Sequence, residues 1–152
     1  MDINILLNQP FTFTRRNQLI PSDLRPVWKA SLVVIIFGLL CKNNKCSLKK
    51  LHLANWISKS ADHVSEFLHW ANDNTGVRPE IRMEPALDRV IELMAGDKLL
   101  VKSGGSLEIT ELGIEICNRL TELSVFEVEI KRLRSVKKFM AEANVERAFK
   151  VV

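Results

Sequence analysis

PALDRVIELMAGDKLLVKSGGSLEITELGIEICNRL, Pro85 to Leu120, is the stretch that decides the fold. Pro85 can open a helix without losing a needed donor, because the first helical N–H groups have no intrahelical acceptor. Leu87, Val90, Ile91 and Met94 then recur at helical spacing until Gly96 stops the run. Leu99 to Lys102 is strand-like, Ser103-Gly104-Gly105-Ser106 supplies a turn that tolerates positive φ, and Leu107-Glu108-Ile109 alternates as the returning strand. Thr110 is placed to cap a further helix, in which Leu112, Ile116, Leu120 and Leu123 repeat at helical spacing. The expected unit is a helix, a hairpin and a second helix.

Working outward, the residues before Pro85 divide into three helical pieces. After the turn Pro21-Ser22-Asp23-Leu24-Arg25-Pro26, with Ser22 or Asp23 as a cap, a helix is expected from about Val27 to Cys41. It is apolar nearly all round, as a central core helix must be. Lys42-Asn43-Asn44-Lys45 reads as a polar turn, and Ser47 as the cap of a second helix with Leu48, Leu51, Leu53, Trp56 and Ile57 inward. A third amphipathic piece, Ala61 to Asn72, groups Val64, Phe67, Leu68 and Ala71, then ends in Asn72-Asp73-Asn74-Thr75-Gly76. It reads as an insertion between the two helices of a helix-turn-helix core. Downstream, Phe126 to about Ala143 reads as one helix whose apolar set is Val128, Ile130, Leu133, Val136 and Met140. The first twenty residues read as an irregular arm.

With 152 residues, 47% of them hydrophobic and 26% charged, the chain can bury a core and lacks the composition of a disordered one. The longest apolar run, Ala30 to Cys41, is too short for the ~20 residues of a membrane span, and the N-terminus lacks the pattern of a signal peptide. A cytoplasmic location without membrane contact is therefore expected. Cys41, Cys46 and Cys117 form no C-x-x-C pair and have no histidine at zinc-ligand spacing, so reduced thiols are expected and no metal or other cofactor is.

The stretch Ala86 to Leu120 resembles the latter half of many winged-helix domains, with a recognition-type helix, the residues GDKLL, a glycine hairpin and ITELG opening the next helix. The implied fold class is mainly α with a small β-hairpin wing: a winged helix-turn-helix core with an N-terminal arm and a C-terminal helix. The divisions are 1–20 for the arm, 21–124 for the winged-helix domain with a helical insertion at about 59–84, and 125–152 for the C-terminal helix. A narrower likeness runs through LRPVWKASLVVIIFGLL, CSLKKLHLANWI, EPALDRVIELMAGDKLL and LEITELG. Together these look like the small middle components of bacterial ABC-three-component systems, which include relatives of the Lamassu antiphage systems. That resemblance implies an adaptor between an SMC-like ATPase and an effector, often a nuclease. The residues Met1–Ile20 and the tail after Lys131 carry no motif of the family.

Net charge of +4 invites a nucleic-acid reading, but the charge is unevenly placed. Residues 1–60 hold nine basic and two acidic groups, 61–130 six and fourteen, and 131–152 seven and two. The helix that would enter a groove offers Glu84, Asp88, Arg89 and Glu92, and carboxylates pressed toward phosphates would be repelled. Asp88, Arg89 and Glu92 are thus expected at a protein interface, as are Leu133, Val136 and Met140 on the last helix. Cations for a DNA backbone lie elsewhere: Lys45, Lys49 and Lys50 near the first turn, with Lys42, and Arg134, Lys137 and Lys138 on the last helix, with Lys131 and Arg132. Arg15 and Arg16 add to the N-terminal group.

No catalytic constellation is legible. His52, His63 and His69 have no serine or cysteine and acid in a nucleophile-like order, Gly104-Gly105 is no phosphate loop, and Trp28, Trp56 and Trp70 lie in apolar helical stripes. The expectation is a non-enzymatic adaptor or scaffold subunit in antiviral defence, with an SMC-like ATPase and an effector as partners and DNA touched through the basic flanks. The alternative is a free-standing dimeric winged-helix transcriptional regulator, its terminal helix self-associating and its first basic turn on DNA.

Overall fold

A computed structural model of the chain describes residues 25–73 and 77–150. Among them the elements run α1 (Pro26–Leu40), β1 (Lys45–Ser47), α2 (Leu48–Ser58), α3 (Ala61–Asp73), α4 (Pro85–Gly96), β2 (Leu100–Ser103), β3 (Ser106–Ile109), α5 (Glu111–Glu122), α6 (Glu127–Val136) and α7 (Glu142–Phe149), with a 3-10 turn at Lys137–Phe139. The structure is mainly helical with one small antiparallel sheet. The arm 1–20, Arg15, Arg16, the caps Ser22 and Asp23, and the turn residues 74–76 lie outside the described residues.

Helix α1 starts at Pro26, with Arg25 at the cap position. Every residue from Leu32 to Phe37 is buried. A helix apolar all round has to be enclosed, and α2, α4, α5 and α6 pack around this one. It ends where Cys41 turns extended, and Asn43 and Asn44 follow at positive φ, which short amide side chains tolerate. The expected polar turn is there, but the residues beyond it also form a strand. Cys46 pairs with Leu107, and Lys45 and Ser47 flank that pair, so the sheet order is β1-β3-β2.

Side-chain caps set the helix starts as the sequence suggested. Ser47 Oγ accepts from the Lys50 N–H to open α2, and Thr110 Oγ1 accepts from the Gly113 N–H to open α5. Gly104 and Gly105 carry the positive φ of the β2–β3 hairpin. Gly113 meets a different demand. A Cβ there would sit 2.7 Å from the Leu99 carbonyl oxygen and 2.5 Å from Ile109, so only glycine lets α5 cross the ends of the hairpin.

Three sequence expectations need correction. The tail is not one helix: it breaks after Val136, passes through the 3-10 turn and a bend at Met140–Ala141, and restarts as α7. Leu133, Val136 and Met140 are not offered to a partner but lie in the chain's own core, at most 2% exposed. The hydrophobic effect selects any nearby apolar surface, and the bend lets Val145 and Ala148 bury as well. Finally, Leu48, Leu112, Leu123 and Val128 face outward, and the buried side of α5 is carried by Gly113, Ile116, Cys117 and Leu120.

Candidate functional site

The turn after α1 and the break after α6 meet. Glu142, in the first turn of α7, accepts from Ser47 Oγ at 2.8 Å and from the Ser47 N–H at 3.4 Å, so the tail is stitched to the end of β1 across 95 residues of sequence. Between them opens a groove of about 1090 Å³. Lys42, Lys45, Lys50, Arg134, Lys137 and Lys138 line it, with Glu142 as its one carboxylate and Leu40, Cys41, Cys46 and Met140 among its apolar wall. Two basic clusters that stand at opposite ends of the sequence thus form one surface.

The cations differ in their engagement. Lys50 is nearly buried and its Nζ lies 4.0 Å from Glu142, which makes it part of the stitch. Lys49 does not line the groove, since its Nζ turns to Glu146 at 3.0 Å. Lys138 lies over the Phe139 ring, 4.9 Å from its centre. Among the described residues Lys42, Lys45, Arg134 and Lys137 make no ion pair. Arg132 takes a structural part, donating to the Ser58 carbonyl at the end of α2, and Lys131 is exposed outside the groove. On the wall the Cys46 thiol is pushed far up from its usual pKa, first by its hydrogen bond with Cys41 and then by burial, so it is neutral beneath the lysines.

The exposed side of α4 is built differently. Asp88, Arg89 and Glu92 are exposed as expected, and Leu93, one turn from Arg89, is 59% exposed among them. Both carboxylates have partners within the chain: Glu92 meets Lys102 of β2, and Asp88 Oδ1 lies 2.8 Å from His52 Nε2. The backbone N–H of Glu84 donates to His52 Nδ1 at 3.2 Å, which fixes the neutral tautomer with Nε2–H donating to Asp88. His52 is 1% exposed with both nitrogens occupied, so it has no lone pair to offer a substrate. Glu84 itself anchors a buried knot: Lys29, 1% exposed, donates to Glu84 at 3.2 Å and to Asn55 at 3.0 Å, and Lys59 pairs with the same carboxylate.

His63 stacks on Trp56 and its Nδ1 lies 2.7 Å from the Trp56 carbonyl, while Trp56 and Trp70 are themselves buried. Among the described residues no group of three or more histidine, cysteine or acidic side chains could hold a metal ion, and no helix is long and apolar enough to cross a membrane. No family model, curated protein or solved structure matches the chain.

Proposed function

We propose that this chain is a non-enzymatic winged-helix subunit that holds protein partners through the α4 face while its cationic groove rests on a nucleic-acid backbone. The fold part of the reading is supported by the succession helix, strand, helix, helix, strand, strand with sheet order β1-β3-β2, once α3 is set aside as an insertion. The observation that carries the function is the groove itself. Lys42, Lys45, Arg134, Lys137 and Lys138, five cations with no ion pair among the described residues, repel one another, and such a cluster is stabilised when phosphates displace the counterions around it. On α4, by contrast, a half-exposed leucine ringed by Asp88, Arg89 and Glu92 suits a polypeptide surface with an apolar centre and polar rim.

The identity of the protein partners rests on the sequence resemblance: an SMC-like ATPase and an effector of one antiphage system, acting in the cytoplasm. Co-purification with the products of adjacent genes at moderate salt tests that assignment, and Leu93→Asp is expected to abolish the capture. For the groove, fluorescence anisotropy against duplexes of unrelated sequence is the test. Changing Lys137 and Lys138 to glutamine should weaken binding alike for all sequences and reduce the slope of log K against log salt by about 2. Binding and slope that stay unchanged would remove the groove from the proposal, and failure to capture any neighbour would remove the adaptor role.

A further inference from the structure

We propose that Cys41 and Cys46 form a dithiol site at which a small anionic disulfide of the glutathione type installs a reversible intramolecular disulfide bond. The register of the turn brings these two residues together: Lys42 and Lys45 are bridged antiparallel, the Lys45 N–H donates to the Lys42 carbonyl at 3.1 Å, and the two asparagines between them have φ of 54° and 60°. This is a two-residue hairpin with a hydrogen-bonded pair next to the turn. The pair immediately outside it is Cys41 and Cys46, which falls at a non-hydrogen-bonded position. There the Cα atoms approach to about 4.5 Å and the side chains share a face, inside the range a disulfide spans. Cys41 has the required extended backbone, φ −100° and ψ 136°, and its thiol, which donates to the Ile36 carbonyl at 3.8 Å, is the neighbour that most raises the Cys46 thiol.

The surroundings select the reagent. Cys41 is half-buried on the wall of the groove and Cys46 is 1% exposed behind it, so Cys41 is the sulfur that meets a solute. Lys42, Lys45, Lys137 and Lys138 draw a negatively charged disulfide to it. The Cys41 thiolate, its proton lost to solvent, attacks one sulfur of the small disulfide and expels the other as a thiolate, which takes up a proton. Cys46 then attacks the Cys41 sulfur of the mixed disulfide, its proton leaving with the second small thiol. Two protein thiols are oxidised and one small disulfide is reduced to two thiols, so electrons and protons balance.

The full-length chain should be equilibrated with oxidised and reduced glutathione, its remaining thiols alkylated, and a tryptic map taken. The expected product links the peptide Ala30–Lys42 to Cys46–Lys49, with Cys117 still alkylated and both peptides released by reductant. Alkylated or glutathione-capped Cys41 with no such link, or a link that includes Cys117, would overturn the proposal. In the Cys46→Ser variant the mixed disulfide at Cys41 should persist instead of resolving. Loss of that capped species from a folded variant would also count against it. The wild-type map stands independently of whether the variant folds.

Discussion

Around α4 the carboxylates of Glu84, Asp88 and Glu92 each meet a partner within the chain, whereas in the groove Lys42, Lys45, Arg134 and Lys137 stand together with no ion pair among the described residues. Both regions are rich in charge, yet they use it in opposite ways. Charge neutralised inside the fold contributes to holding it, and its removal is felt as lost stability. Clustered charge of one sign opposes folding slightly and creates a field for something outside. The distinction makes measurable differences between substitutions that look alike on paper.

The largest effect is expected at Glu84. Lys29 is buried, and removing the carboxylate that it shares with Lys59 takes away one of the groups that hold its charge, which costs about 3 kcal/mol. Urea unfolding of Glu84→Ala should show that loss, and Lys29→Met in the same background should recover most of it, because a neutral side chain needs no carboxylate. A single Glu84→Ala variant as stable as wild type would break the comparison on its structural side. A smaller loss, about 1 to 3 kcal/mol, is expected for Gly113→Ala, whose new methyl group meets the Leu99 carbonyl and Ile109. That variant tests whether the hairpin and α5 are as tightly joined as Thr110 and Gly113 imply, without touching any charge.

Alkaline pH probes the groove wall. The Cys46 thiol is raised first by Cys41 and then by burial, and the Cys117 thiol by burial. In the unfolded chain a cysteine deprotonates near pH of about 8.5 while the folded thiols keep their protons, so above that point the native state binds more protons. Their contribution is therefore complete below the unfolded pKa and is lost as pH rises toward the folded one. Stability should fall by up to about 1.4 kcal/mol per pH unit for Cys46, and by less for the partly exposed Cys117. Unfolding at about pH 8 and pH 9.5 in reductant measures the slope, and Cys46→Ala should make it shallower.

The parts of this picture that could be read from the sequence are those set by local chemistry. Ser47 and Thr110 as caps, Pro85 as a helix start and Gly104-Gly105 as a hairpin each depend on residues within a few positions. What could not be read depends on distant contacts. A three-residue strand has no alternation to recognise, and β1 exists because Cys46 pairs with Leu107. The apolar stripe Leu133, Val136 and Met140 has the same spacing whether it meets a partner or its own core, and the break after Val136 decides for the core. The cations of the groove were all visible as candidates. Their meeting was not, because it rests on the bond between Ser47 and Glu142. Lys29 marked the edge of an apolar run in the sequence, and its partners Asn55 and Glu84 arrive from two other segments.

The smallest effect is the most discriminating. If the groove cations are held together against their mutual repulsion, then Lys137→Gln should not weaken the fold but strengthen it, by about 0.3 kcal/mol at low ionic strength. Salt screens exposed charges within about 10 Å at 0.1 M, so the gain should disappear as salt is added. The same substitution should weaken duplex binding at every salt concentration where binding is measurable. A residue kept for the fold cannot behave this way, since its removal would reduce stability and leave the field around the groove as it was. Opposite signs from one substitution, a more stable chain with a weaker grip on phosphate, follow only if Lys137 is present for a ligand. A loss of stability with Lys137→Gln would move that lysine to the structural class of Lys29, and the contrast between the two regions would no longer separate fold from function.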